Sequence, residues 1–225
     1  MSAINFTKSL QYSGPEFVSN NAEEGRKVIS AIESELKRCE SFFISVAFIT
    51  AGGLSPLLMT LKELEGKNIP GRILTTNFLM FNDPKILDKL SQFSNIELRI
   101  FDAQRSDVGF HTKGYGFHLE DEFTIIVGSS NMTLHALTRN KEWNVHYSSH
   151  KQESFVMSVL EEFESLWAAD ETKTYVDYID TYRMLYKQYN DSTKKQLPAV
   201  VDTNINESNQ VPKVLQPNSM QSYVM

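Results

Sequence analysis

The stretch that decides the fold runs from Phe110 to Glu142, FHTKGYGFHLEDEFTIIVGSSNMTLHALTRNKE. Successive strand side chains alternate between faces, so His111, Lys113, Tyr115 and Phe117 share one face and His118 takes the other. A polar break from His118 to Glu122 precedes the β-branched run Thr124 to Val127. The two halves therefore read as a hairpin, followed by a short helix over 132–139 that Thr133 starts. A turn centred near Glu120 sets His111 opposite Ser129 in the antiparallel ladder. One patch then gathers an imidazole, an ammonium, a hydroxyl and an amide. Those groups suit phosphoryl transfer: a nucleophile, a fixed cation and neutral donors for the equatorial oxygens of a phosphodiester.

These residues resemble the phospholipase D superfamily, whose signature is His-x-Lys, an Asp further on, then Gly-Ser-x-Asn. His111-x-Lys113 and Gly128-Ser129-x-Asn131 match it. The Asp is expected at position 118, where this chain carries His118, so the relay role of that Asp has no direct carrier. In nucleases of the superfamily, including its metal-independent restriction endonucleases, a Glu beyond Gly-Ser-x-Asn stands beside the catalytic His. Glu142 lies where that Glu belongs. More specifically, the run from Ile44 to Val145 resembles the phospholipase D-like domain at the front of some bacterial superfamily 2 helicases, over roughly residues 20 to 190.

Outward from the hairpin, the pattern is that of an α/β sheet. Residues 1–20 lack clear periodicity and read as an arm or edge strand. From Asn21 to Cys39, Val28, Ile29, Ile32 and Leu36 recur at helical spacing, with Glu23 and Glu24 in the first turn. Phe42 to Ile49, FFISVAFI, has no polar face and predicts a strand covered on both sides. A helix over 54–64, a strand over 71–76, a helix over 84–93 and a strand over 95–101 continue the β-α-β-α-β order. Residues 77–83 form a loop at the strand ends, where such sheets open onto ligands.

Beyond the hairpin a strand is predicted over 143–147, then amphipathic helices over 152–167 and 175–189. The tyrosines of the last helix read as packing rather than as a base-stacking stripe. From Asn190 the composition turns polar, as in a linker. Within it, Gln216 to Gln221 resembles the Pro-Asn-x-x-Gln element that precedes the motor in those helicases, so the chain is expected to be their N-terminal piece: 1–190 the phospholipase D-like domain, 191–225 the linker.

Composition narrows the class. With 225 residues, 41% hydrophobic and 11% aromatic, the chain can bury one sizeable core. Its single cysteine, Cys39, rules out an intrachain disulfide, no apolar run approaches a membrane span, and no signal pattern opens the chain, which makes a cytoplasmic setting the expectation. The net charge of −6 argues against a surface coated for nucleic acid, yet most of the acidic excess falls on 150–190, where 4 Lys and Arg meet 8 Asp and Glu. A basic patch around Arg105, Lys113, Arg139 and Lys141 remains. His118, His135, His146 and His150 show no metal-ligand spacing, and no Walker A sequence occurs.

The resemblance implies an α/β fold, a mixed β-sheet flanked by helices on both faces with the catalytic hairpin at its centre. It also implies DNA phosphodiester cleavage without metal or cofactor, through a phosphohistidine. His111 is then the nucleophile, Lys113 and Asn131 hold the phosphoryl oxygens, Ser129 and Ser130 assist at the phosphate, and Glu142 orients His111. A non-catalytic DNA-binding module that positions an attached helicase is the alternative, and phospholipase activity ranks below both. The family's chemistry uses two His-x-Lys elements, and His111 is the only His followed two residues later by Lys. A homodimer sharing the site across its two-fold axis supplies the second.

Overall fold

The computed structural model describes residues 14–196. Its elements are β1 (Glu16–Val18), α1 (Val28–Arg38), β2 (Ser41–Val46), α2 (Ala51–Leu54), α3 (Leu58–Gly66), β3 (Gly71–Thr76), α4 (Pro84–Leu90) and β4 (Ile96–Phe101). The hairpin expected from the sequence is β5 (Lys113–Leu119) and β6 (Glu122–Gly128); α5 (Leu134–Thr138), β7 (Asn144–His150), α6 (Ser154–Ala168), β8 (Thr172–Thr174) and α7 (Tyr175–Gln196) follow. The strands form one mixed sheet in the order β1-β7-β6-β5-β2-β3-β4-β8. Strands β2, β3 and β4 run parallel. Every other pairing is antiparallel, which sets the β5–β6 hairpin in the middle of the sheet.

Strand alternation assigns the two cores. Phe42, Ile44 and Val46 point to the side of α1, α3, α4 and α7, where they meet Ile32, Leu36, Leu61, Leu87 and Tyr182. Phe43 and Ala47 point to the opposite side, covered by α6 through Val156, Phe163 and Trp167. Helices thus cover both faces, but unequally. The tyrosines of α7 pack as expected: Tyr178 and Tyr182 are buried in the larger core, and Tyr175 and Tyr186 pack against it.

Several boundaries shift for physical reasons. Helix α1 begins at Val28, not Asn21, because Asn21 Oδ1 accepts from the backbone of Glu23 and Glu24 and Gly25 adopts φ 67, closing a turn there. Strand β2 ends at Val46, and residues after it bend into α2, whose first turn Thr50 caps. Two short edge strands, β1 and β8, frame the sheet; residues 1–13 of the predicted N-terminal arm lie outside the described residues. Asn190, the expected start of a linker, lies inside α7, which continues through Gln196. The Gln216–Gln221 element also lies outside the described residues. Among the described residues no helix is long and apolar enough to cross a membrane.

Candidate active site

The hairpin turns on Glu120 and Asp121, with Glu120 at φ 50 and Leu119 paired to Glu122. That register pairs Gly114 with Val127 and differs by one residue from the sequence expectation: extended, it brings His111 level with Ser130, not Ser129. Nor does His111 belong to the strand, because β5 starts at Lys113. His111 and Thr112 lie just before it, tied to β2 by Thr112 Oγ1 to Ser45 Oγ (2.7 Å) and by Ala47 N donating to Thr112 O (3.1 Å). The site therefore sits where the parallel strands end and β5 begins, the usual opening of such a sheet.

Lys113 Nζ donates to His111 Nδ1 at 2.7 Å and to His111 O at 2.8 Å. An ammonium has only protons to offer, so His111 Nδ1 carries the lone pair and its proton is on Nε2. Loss of surrounding water, and then the Lys113 charge, pull the His111 imidazole below its ordinary value. The neutral ring is the form a nucleophile needs. Burial also pulls the Lys113 ammonium below its ordinary value, and the Glu142 charge opposes that pull.

The Gly-Ser-x-Asn segment is clamped between two neighbours. Gly128 has no room for a side chain: a Cβ there meets Trp143 O at 2.1 Å and Asn144 Cα at 2.6 Å. Ser129 N donates to Trp143 O, Trp143 N to Ser129 Oγ, and Ser129 Oγ to Glu142 Oε2. Across the segment, Met132 N donates to Phe48 O and Phe48 N to Asn131 Oδ1. The Asn131 carbonyl is thus spoken for, and its amino end is the donor left for a ligand.

Two expected roles change. Ser130 is fully buried; its hydroxyl accepts from Asn144 Nδ2 and its carbonyl from Tyr115 Oη, so it supports the segment and does not reach a phosphate. Glu142 bonds Ser129 and acts on Lys113 by charge, and it makes no bond to His111. His118 is no part of the centre. It pairs with Ser41 at the far end of β5, about 17 Å from Lys113 at ~3.3 Å per residue. A residue there cannot relay charge to His111, so the departure from the family pattern takes nothing from the reacting groups.

Sequence reasoning missed Asn144 and Phe48, which act through bonds to residues far along the chain. A cleft of about 430 Å³ opens beside the site, lined by His111, Lys113, Ser45, Val127, Phe155 and Glu162. Among the described residues, no group of His, Cys, Asp and Glu gathers to hold a metal ion.

An imidazole just before a central hairpin, the lysine that opens it and a Gly-Ser-x-Asn segment after it stand in the order that the resemblance to phospholipase D implies. Residues 32–167, more than half of the chain, match the family model described as "Cardiolipin synthase, PLD-like domain", and the chain belongs to the phospholipase D-like family. Its fold is similar to that of NucT from Helicobacter pylori, with a TM-score of 0.57 at 12% identity over 71% of this chain and 98% of the other. It is similar also to Nuc, a phospholipase D family member from Salmonella typhimurium, with a TM-score of 0.54 at 18% identity over 72% and 98%. Phosphatidylserine synthase of Haemophilus influenzae gives 0.52 at 14% identity, over 81% of this chain but 46% of that one. A comparison with curated protein sequences finds no match.

Proposed function

We propose that this protein is a phosphodiesterase that cleaves DNA through a phosphohistidine intermediate. The observation that carries the reading is His111 Nδ1 held 2.7 Å from the Lys113 ammonium, with the Asn131 amide fixed through its carbonyl to Phe48 N and its amino end left as a donor. An arriving phosphodiester offers Lys113 better acceptors than an imidazole nitrogen, so the ammonium turns to the phosphoryl oxygens and releases the ring. His111 attacks phosphorus; the N–P bond forms as the P–O bond to the leaving group breaks. Asn131 Nδ2 and Lys113 hold the equatorial oxygens; Ser129, whose hydroxyl donates to Glu142 and whose N–H donates to Trp143 O, shapes the segment, and the Glu142 charge helps to keep Lys113 charged. Water then attacks phosphorus, the N–P bond breaks, and His111 is restored.

The leaving oxygen needs a proton, and the chain has one His-x-Lys element. A second copy of the chain supplies it: its protonated His111 gives a proton to the leaving oxygen and later takes one from the water. Two nearby imidazoles share a proton in this way naturally. An apolar row supports the pairing, because Phe17, Val145 and Val127 are cross-strand neighbours on one face and all are exposed. The resemblance of residues 20–190 to helicase-borne domains supports a place beside a DNA motor, with 191–225 as the connection; the gene's continuation past Met225 tests that.

Turnover of labelled DNA in excess EDTA is the direct test. The parent is expected to cut and His111→Ala to lose at least about a thousandfold, the scale of removing a nucleophile. Cleavage that stops with chelator, or survives the substitution, ends the mechanism. Salt-dependent DNA binding untouched by His111→Ala, with no cleavage by the parent, favours the non-catalytic module.

A further inference from the structure

The loop after β3 is built in a way the core alone does not require. Leu79 and Met80 both take left-handed backbone conformations, φ 54 and φ 47, which bulky side chains avoid. Buried amides hold them there. Asn82 donates to Ala47 O, Thr75 Oγ1 and Thr76 O and accepts from Ile49 N, and Asn77 donates to Asp102 and Tyr178. The result turns Met80 into the core at 4% exposure while Leu79 and Phe81 stand out at 49% and 47%. The Phe81 ring lies 4.4 Å from that of Phe48, and Phe48 meets the His111 ring edge-on at 6.1 Å. A rigid apolar lip borders the imidazole.

We propose that the Leu79–Phe81 lip is a nucleobase subsite, so that the substrate of this centre is single-stranded or locally unpaired DNA. The inference rests on the phosphodiesterase reading above and names its substrate class. In a nucleotide chain a flat ring lies one sugar away from every phosphate, and the lip presents apolar surface one ring beyond His111. A paired base has both faces covered by its neighbours in the stack; an unpaired base can lay one on Phe81. The half-exposed Phe81 ring offers a flat apolar face of the size and shape that a base stacks on. Because its backbone is pinned, little ordering is lost when a base settles on it.

The experiment compares a single-stranded oligonucleotide with the same phosphate backbone built from tetrahydrofuran residues, which lack bases. For the parent, KM is expected to be at least tenfold lower on the natural strand, and Phe81→Ala should bring that ratio toward one, as should Leu79→Ala in part. Phe81→Trp should preserve it. A ratio unchanged in Phe81→Ala, or a duplex cut as readily as a single strand, overturns the proposal. So does a Phe81→Ala protein that loses hydrolysis of phosphatidylglycerol vesicles while keeping the DNA ratio. If the parent cuts neither backbone, the phosphodiesterase reading fails, and fluorescence anisotropy still decides the lip: His111→Ala protein should bind the natural strand more tightly than the base-free one, and His111→Ala with Phe81→Ala should not.

Discussion

At the residue scale the centre is a balance of three charges. Burial and then the Lys113 charge hold the imidazole below its ordinary value, and burial lowers the lysine against the opposing Glu142 charge, so each substitution has a sign. Removing the Glu142 charge leaves burial unopposed and lowers the Lys113 value further. The alkaline limb of kcat/KM, where Lys113 loses its proton, should then move to lower pH in Glu142→Gln. Removing the Lys113 charge works the other way on its neighbour: the His111 titration followed by NMR should rise in Lys113→Met toward the ~6.5 of a free imidazole. The acid limb of turnover belongs to both imidazoles of a dimer and is the poorer probe. An alkaline limb that stays put in Glu142→Gln would remove that carboxylate from the argument.

At the element scale the unequal cover of the sheet has a consequence. One face rests on six helices, α1 to α5 and α7, whereas the face behind His111 depends on α6, where Phe163 stacks on Phe43 with ring centroids 4.1 Å apart. Phe163 is 3% exposed and Phe155, on the same helix, 40%. Phe163→Ala should therefore cost about 3–5 kcal/mol in denaturant unfolding, against under ~1 kcal/mol for Phe155→Ala. Comparable losses for the two would mean that α6 does not seal that face as a unit. The loop bearing Leu79 draws on the same logic: strain of order 1–3 kcal/mol per left-handed residue persists because Asn77 and Asn82 over-determine the backbone around it.

At the scale of the whole molecule, the proposed shared centre makes activity depend on assembly. The row Phe17, Val145 and Val127, with Trp143 edge-on to Phe17 at 5.9 Å, lies on the strands next to the centre. Sedimentation at micromolar concentration should show a dimer, and Val145→Lys should split it and abolish cleavage while His111 remains intact. Mixing His111→Ala chains with parent chains should lower activity, since a mixed dimer has an attacking imidazole but no second one to protonate the leaving oxygen. A monomer that cuts DNA at the parent rate refutes the shared centre.

The sequence by itself determined the class of fold and singled out the groups proposed to react. The unbroken apolar run at Phe42 demanded cover on both faces, the helical spacing of Val28 to Leu36 supplied part of it, and His111, Lys113 and Asn131 stood out through a motif that resembles the phospholipase D signature. These are local signals, carried by neighbours along the chain. Tertiary contacts decided the rest. The two-residue turn at Glu120 set the hairpin register one residue from the expected one, Asn144 and Tyr115 buried Ser130, and the backbone of Trp143 brought Glu142 to Ser129 instead of His111. The remoteness of position 118 and the outward turn of Leu79 and Phe81 belong with these. Each depends on hydrogen bonds or strand ends whose partners lie far away along the chain, and no local pattern encodes the distance between them.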